Sequence, residues 1–250
     1  MTEQESLEGV EVYGARCGRL CSLEITLGRP LSRRKLRLYS TACARRIWQH
    51  FDPQTRNTIE VIERFADGRA RRAEFRSASK RAQRVAHKQG KERGRLPPGG
   101  DDWPTYCARS LASWASDSAI SGHVAECAAD WAVSAAVDHS LHARDYVAFW
   151  KAVEQELETN ANLSRELVGN PFRPVTLEPA CRAPTVLALA QGAYDKRILP
   201  AGHLDPDRLA VLADALEDAG CTDAVILGHL RGPGPHVRGC WAVDLILGKQ

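Results

Sequence analysis

The chain has no apolar run long enough to span a bilayer, and it lacks the compact signatures that announce an enzyme. There is no Gly-x-Ser-x-Gly elbow, no His-Glu-x-x-His, no phosphate-binding Gly-Lys-Ser/Thr loop and no Gly-x-Gly-x-x-Gly. Glu3, Glu5, Glu8 and Glu11 precede any apolar stretch, whereas a secretory signal needs a positive start followed by an apolar run. The eight cysteines, at positions 17, 21, 43, 107, 127, 181, 221 and 240, are neither dense nor paired as in a secreted disulfide scaffold. These absences predict a reducing, cytoplasmic setting and no membrane partner. They also make an enzyme the less favoured reading, although a catalytic set assembled from distant residues leaves no mark in one sequence.

What is present is helical punctuation. With 250 residues, 44% of them hydrophobic, the chain can bury a core without staples. Ser32 reads as an N-cap, and Leu36, Tyr39, Cys43 and Ile47 follow at spacings of three and four, which predicts a helix with Arg34, Arg37 and Arg45 on its outer side. Asp52-Pro53 opens a second helix that Gly68 ends. Residues 103–150 are rich in alanine, with Trp114, Trp131 and Trp150 among them, and residues 145–167 read as one long helix whose later half is acidic, with Glu154, Glu156, Glu158 and Glu166. Pro184 and Asp205-Pro206 open further helices, Thr222 caps a short one, and residues 239–247 form the last. Strand character is confined to Leu23, Ile25 and Leu27, which alternate with Glu24 and Thr26. The expected fold is therefore mainly α, a multi-helix bundle or array with a short strand or irregular arm at the N-terminus. It divides into an arm at 1–30, a basic helical segment at 31–90, a linker or long loop at 91–104, an Ala/Trp-containing helical segment at 105–168, and a C-terminal helical module at 169–250 with Trp241 as a core ring.

Two blocks carry a resemblance. Arg34-Lys-Leu-Arg-Leu-Tyr with Arg45-Arg-Ile-Trp48, and Gly169-Asn-Pro-Phe-Arg-Pro through Gly234-Pro-His-Val-Arg-Gly-Cys-Trp241 to Leu247-Gly-Lys249, resemble a helical protein family expanded in planctomycete bacteria. The resemblance covers residues 31–68 and 169–250. It implies a helical fold and a bacterial origin, and it carries over no catalytic residue and no activity.

Four constellations are candidates for function. Cys221, His229, His236 and Cys240 are soft or borderline metal ligands within twenty residues and around one tight turn, a donor set that zinc would take, although no Cys-x-x-Cys pair pre-forms half a site. His123 with Cys127, and His139 with His142, are each spaced to share a helix face, with Glu126 and Asp138 nearby. The bland alternative for both sets is core packing and helix capping, under which no cofactor is expected. Residues 69–95 hold 11 Lys/Arg against 2 Asp/Glu, Arg71, Arg72, Arg76 and Arg84 among them. That balance suits a phosphate backbone, or else a solvated face, or a contact with residues 96–250, which hold 12 Lys/Arg against 20 Asp/Glu. Only Phe75 could stack on a base. Finally, Gly232-Pro-Gly-Pro235 sets a rigid bend flanked by Arg231, His236 and Arg238, able to receive an anion or a partner carboxylate. The leading expectation is a non-catalytic protein-binding or scaffold module with an unidentified protein partner. A nucleic-acid-associated protein using residues 69–95 is one alternative, and a metal-dependent enzyme is the other.

Overall fold

The computed structural model describes Leu20, Glu24 and residues 30–93, 103–137 and 144–249. It is mainly α. Apart from Glu24, the stretch 23–27 read as a strand lies outside the described residues, as do residues 94–102 of the expected linker and both His139 and His142. The chain separates into two compact units, residues 1–164 and 165–250.

In the first unit α1 (Arg33–Arg46), α2 (Pro53–Ala66), α3 (Arg72–Arg93), α4 (Trp103–Ala115) and α5 (Gly122–Ala136) pack on one another, followed by α6 (Tyr146–Val168), within which the unit boundary falls. The starts follow local chemistry. Ser32 accepts from the Lys35 amide and Asp52 from the Thr55 amide, satisfying donors that a helix start leaves open. α4 and α5 pack on each other, and both bury small side chains, Ala108, Ala112 and Ala115 on one and Ala125, Ala128, Ala129 and Ala132 on the other. The alanines allow a close approach at little entropic cost.

The basic outer face expected of α1 is corrected by the packing. Arg37 and Arg45 are each only 6% exposed. Arg45 makes a two-pronged pair with Glu63 of α2, at 2.9 and 2.8 Å, and its guanidinium lies 4.0 Å from the centre of the Trp48 ring. Arg37 sits 5.3 and 5.1 Å from the rings of Phe65 and Phe75, which stack on each other at 4.2 Å. Planar guanidinium groups tolerate this because they meet carboxylates and ring faces in fixed geometry and hold water weakly. Of the three, Arg34 stays nearer the surface, paired with Asp67.

The second unit begins with the end of α6 and continues through α7 (Pro184–Asp195), α8 (Pro206–Asp218), α9 (Ala224–Leu230) and α10 (Trp241–Leu247). A two-stranded hairpin of β1 (Arg197–Ile198) and β2 (His203–Leu204) was not expected, since two residues per strand cannot show an alternation. Asp205 caps α8 as expected, whereas α9 is capped by Asp223 and not Thr222. Leu209, Leu212 and Leu216 of α8, Tyr194 of α7, Ile226 and Leu230 of α9 and Val243 and Ile246 of α10 form its core. No helix among the described residues is long and apolar enough to cross a membrane.

Candidate metal centre

The bend at Gly232-Pro-Gly-Pro235 turns the chain from the end of α9 back towards β2. Gly234 has φ +72°, and a Cβ there would lie 2.7 Å from the His236 amide nitrogen, so a side chain has no room in this turn. The next residues are fixed by backbone contacts: the Leu204 amide donates to the His236 carbonyl at 2.8 Å, and Val237 bridges to His203. His236 is thereby held inside the unit, 4% exposed, and Arg238 is 8% exposed over the Tyr194 ring. Neither belongs to an exposed anion-receiving bend. Arg231 does reach the surface, but it is occupied by Asp214 and Glu217 of α8.

Three donors meet around this turn. His229 comes from the last turn of α9, His236 follows the bend, and Cys240 immediately precedes α10. The fourth is Glu166, in the last turn of α6. One ligand atom from each of the four lies within 4.8 Å of all the others. His236 Nδ1 is 3.2 and 3.3 Å from the two Glu166 oxygens, and His229 Nε2 is 3.2 Å from Glu166 Oε2 and 3.2 Å from Cys240 Sγ. For a tetrahedral zinc with ordinary Zn–N, Zn–O and Zn–S bonds, ligand atoms stand roughly 3.3–3.6 Å apart. Three of the six pairs, Glu166 with each histidine and His229 with Cys240, already stand near that spacing, and the rest lie within 4.8 Å.

The surroundings orient the set. His236 Nε2 faces the Gly232 carbonyl at 3.3 Å, so the ring donates there and turns Nδ1 inward, as metal-binding histidines commonly do. The Val237 amide donates to Glu166 Oε1 at 3.4 Å. Trp241 packs on Gly169, whose Cβ position would fall 3.0 Å from the indole Cγ, and its indole N–H donates to His229 Nδ1 at 3.2 Å. That last bond leaves the neutral His229 proton on Nε2, at the centre of the cluster, so a cation there competes with a proton and with Trp241.

Charge follows the same geometry. Burial pushes the Glu166 carboxyl up, but hydrogen bonds from His229 and His236 and their positive charge outweigh it and hold the group below the usual carboxylate range. Burial pushes His236 down, yet Glu166 raises it above the ordinary histidine value. Burial, reinforced by Glu166, lifts the Cys240 thiol well above its ordinary range. A divalent cation reverses this last effect, since coordinated thiols lose their proton. The cluster could hold a metal ion, and it is the one such group of His, Cys, Asp and Glu among the described residues.

The other sequence candidates fall elsewhere. Cys221 does not join the cluster; it is buried beside the Cys181 thiol in the core of the second unit. His123 Nε2 lies 3.7 Å from Cys127 Sγ on α5, a contact within one helix with no third ligand around it among the described residues. Arg71, Arg72, Arg76 and Arg84 are exposed. Glu166 is the donor that the sequence reading does not single out, since it stands there only as one of the acids in the later half of a long helix. Its place three residues before Gly169-Asn-Pro, where a carboxylate opposes the helix dipole, was the available signal. The chain matches no family model, no curated protein and no solved structure.

Proposed function

We propose that residues 165–250 form a zinc-binding helical module and that the metal is structural. The observation that carries this is the convergence of Glu166, His229, His236 and Cys240, with all four ligand atoms within 4.8 Å. Four protein donors close a tetrahedral shell, while a catalytic zinc keeps one position open for water or substrate. Glu166, His236 and Cys240 are buried, which favours the closed arrangement over a metal-dependent enzyme. Zinc is preferred to calcium or magnesium because a thiol and two imidazoles are poor partners for hard cations. The module's role is then that of a binding or scaffold unit with a protein partner, the metal tying the end of α6 to the turn between α9 and α10. Thermal unfolding of the full chain tests this: a strong chelator lowers the transition of residues 165–250, and zinc restores it where magnesium does not. A transition indifferent to chelator and to zinc overturns the structural reading.

A further inference from the structure

Five arginines of the first unit, all outside α3, are held by acids. Arg34 meets Asp67, Arg45 meets Glu63, Arg46 meets Glu156, Arg64 meets Glu74 and Arg109 meets Asp52. On α3 the pattern stops. Arg72, Arg76, Lys80 and Arg84 recur every fourth residue and all are exposed. No hydrogen bond or ion pair joins any of the four to another described residue, and the acid in the first turn of α3, Glu74, is taken by Arg64 from α2. The opposite side of α3 is spent on packing: Phe75, Ala78, Ser79 and Ala82 are buried, and Ser79 donates to the Ser116 carbonyl at 2.8 Å. Like charges four apart on a helix repel one another, so this row opposes the helix that carries it and nothing described in the chain offsets it.

We propose that the row Arg72, Arg76, Lys80 and Arg84 is a docking surface for the phosphate backbone of double-stranded nucleic acid. The helix rises about 1.5 Å per residue, so the row places a cation about every 6 Å over about 18 Å, on a rigid element. A duplex presents one charge per roughly 1.7 Å of its axis, on the order of ten over that length, which a linear row of cations can engage without reading sequence. A single strand is the weaker match because the stacking platform it needs is missing: Phe75 is buried against Phe65. A lipid surface is weaker too, since the apolar side chains of α3 face the interior of the unit and leave nothing to insert.

The test is titration of the full chain against a labelled DNA duplex of about 20 base pairs over a range of salt, beside a single strand of equal length and phosphatidylserine-containing vesicles. Four phosphate contacts predict a log–log salt slope of about −3.6 and equal affinity for duplexes of unrelated sequence. The variant Arg72→Gln, Arg76→Gln, Lys80→Gln, Arg84→Gln loses at least tenfold in affinity at low salt, with its metal content unchanged and its melting temperature equal to or above the parent's, since the repulsion along the row is gone. Arg76→Gln and Arg84→Gln, made singly, each reduce the slope by about 1. An affinity untouched by the fourfold variant, a single strand bound more tightly than the duplex, or binding to vesicles alone overturns the proposal.

Discussion

Glu166 and His236, seventy positions apart in the chain, stand with carboxylate oxygen and imidazole nitrogen 3.2 Å from each other in the interior of the C-terminal unit. His229 reaches the same carboxylate at 3.2 Å, so one acid answers two rings. Removing one partner of a buried charged set strands the other, at a cost of about 3–5 kcal/mol. Glu166→Ala is expected to destabilise the C-terminal unit by about that amount in urea unfolding, and Glu166→Gln, which keeps the shape, by less. A loss within about 0.5 kcal/mol for both, the range of an ordinary surface change, would show that the cluster does not hold the unit together.

The turn that delivers His236 depends on Gly234. Its left-handed backbone and the missing space for a Cβ predict that Gly234→Ala costs about 1–3 kcal/mol and displaces His236 from the other donors. Metal content and melting temperature should fall together. Gly220→Ala is the control: it also has a positive φ but open space around the Cβ, so it should lose some stability and keep its metal.

How much of this was legible follows from range along the chain. Ser32, Asp52-Pro53, Pro184 and Asp205-Pro206 act on their own helix starts, and each helix begins where the sequence places it. His229, His236 and Cys240 were visible as donors because they share one turn. Glu166 was not, since the fold alone brings an acid from the end of α6 to that turn, and Cys221 was drawn in by nearness in sequence although its thiol packs into the core. The same limit explains Arg37 and Arg45, which look like a solvated face until Glu63, Phe65 and Phe75 arrive from other helices. Two-residue strands leave no period to read.

Trp241 packs within the unit, and its indole N–H would compete for His229 with a cation at the cluster. Truncation to alanine removes a large, partly buried ring packed on Gly169 and should cost about 3 kcal/mol. Trp241→Phe keeps most of the packing but removes the N–H donated to His229 Nδ1. A net hydrogen bond contributes about 1 kcal/mol, so freeing that nitrogen should tighten zinc binding by about fivefold in competition with a chromophoric chelator. Weaker binding in Trp241→Phe would mean that the indole supports the bound state.

Asp52 gives the first unit a pH-dependent element. Burial raises its pKa, but the Thr55 amide and Arg109 outweigh that and leave it below the ordinary aspartate value. A depressed folded value means its contribution is present above the unfolded pKa, about 3.9, and is lost as pH falls through the folded one. Asparagine caps a helix about as well as aspartate, so Asp52→Asn loses chiefly the half-exposed pair with Arg109 and should cost at most about 1 kcal/mol at pH 7, a gap that narrows progressively as pH falls below about 3.9. A gap that does not narrow at all as pH falls below about 3.9 would assign the effect to shape, not charge.

The proposed zinc site calls first for elemental analysis of the untagged, chelator-washed full chain after zinc is returned and excess removed. Close to one zinc per chain is expected, falling to a small fraction in His236→Ala and in Cys240→Ser while Cys221→Ser keeps its full complement. Protein that retains no zinc, or retains it equally in all three variants, would contradict it.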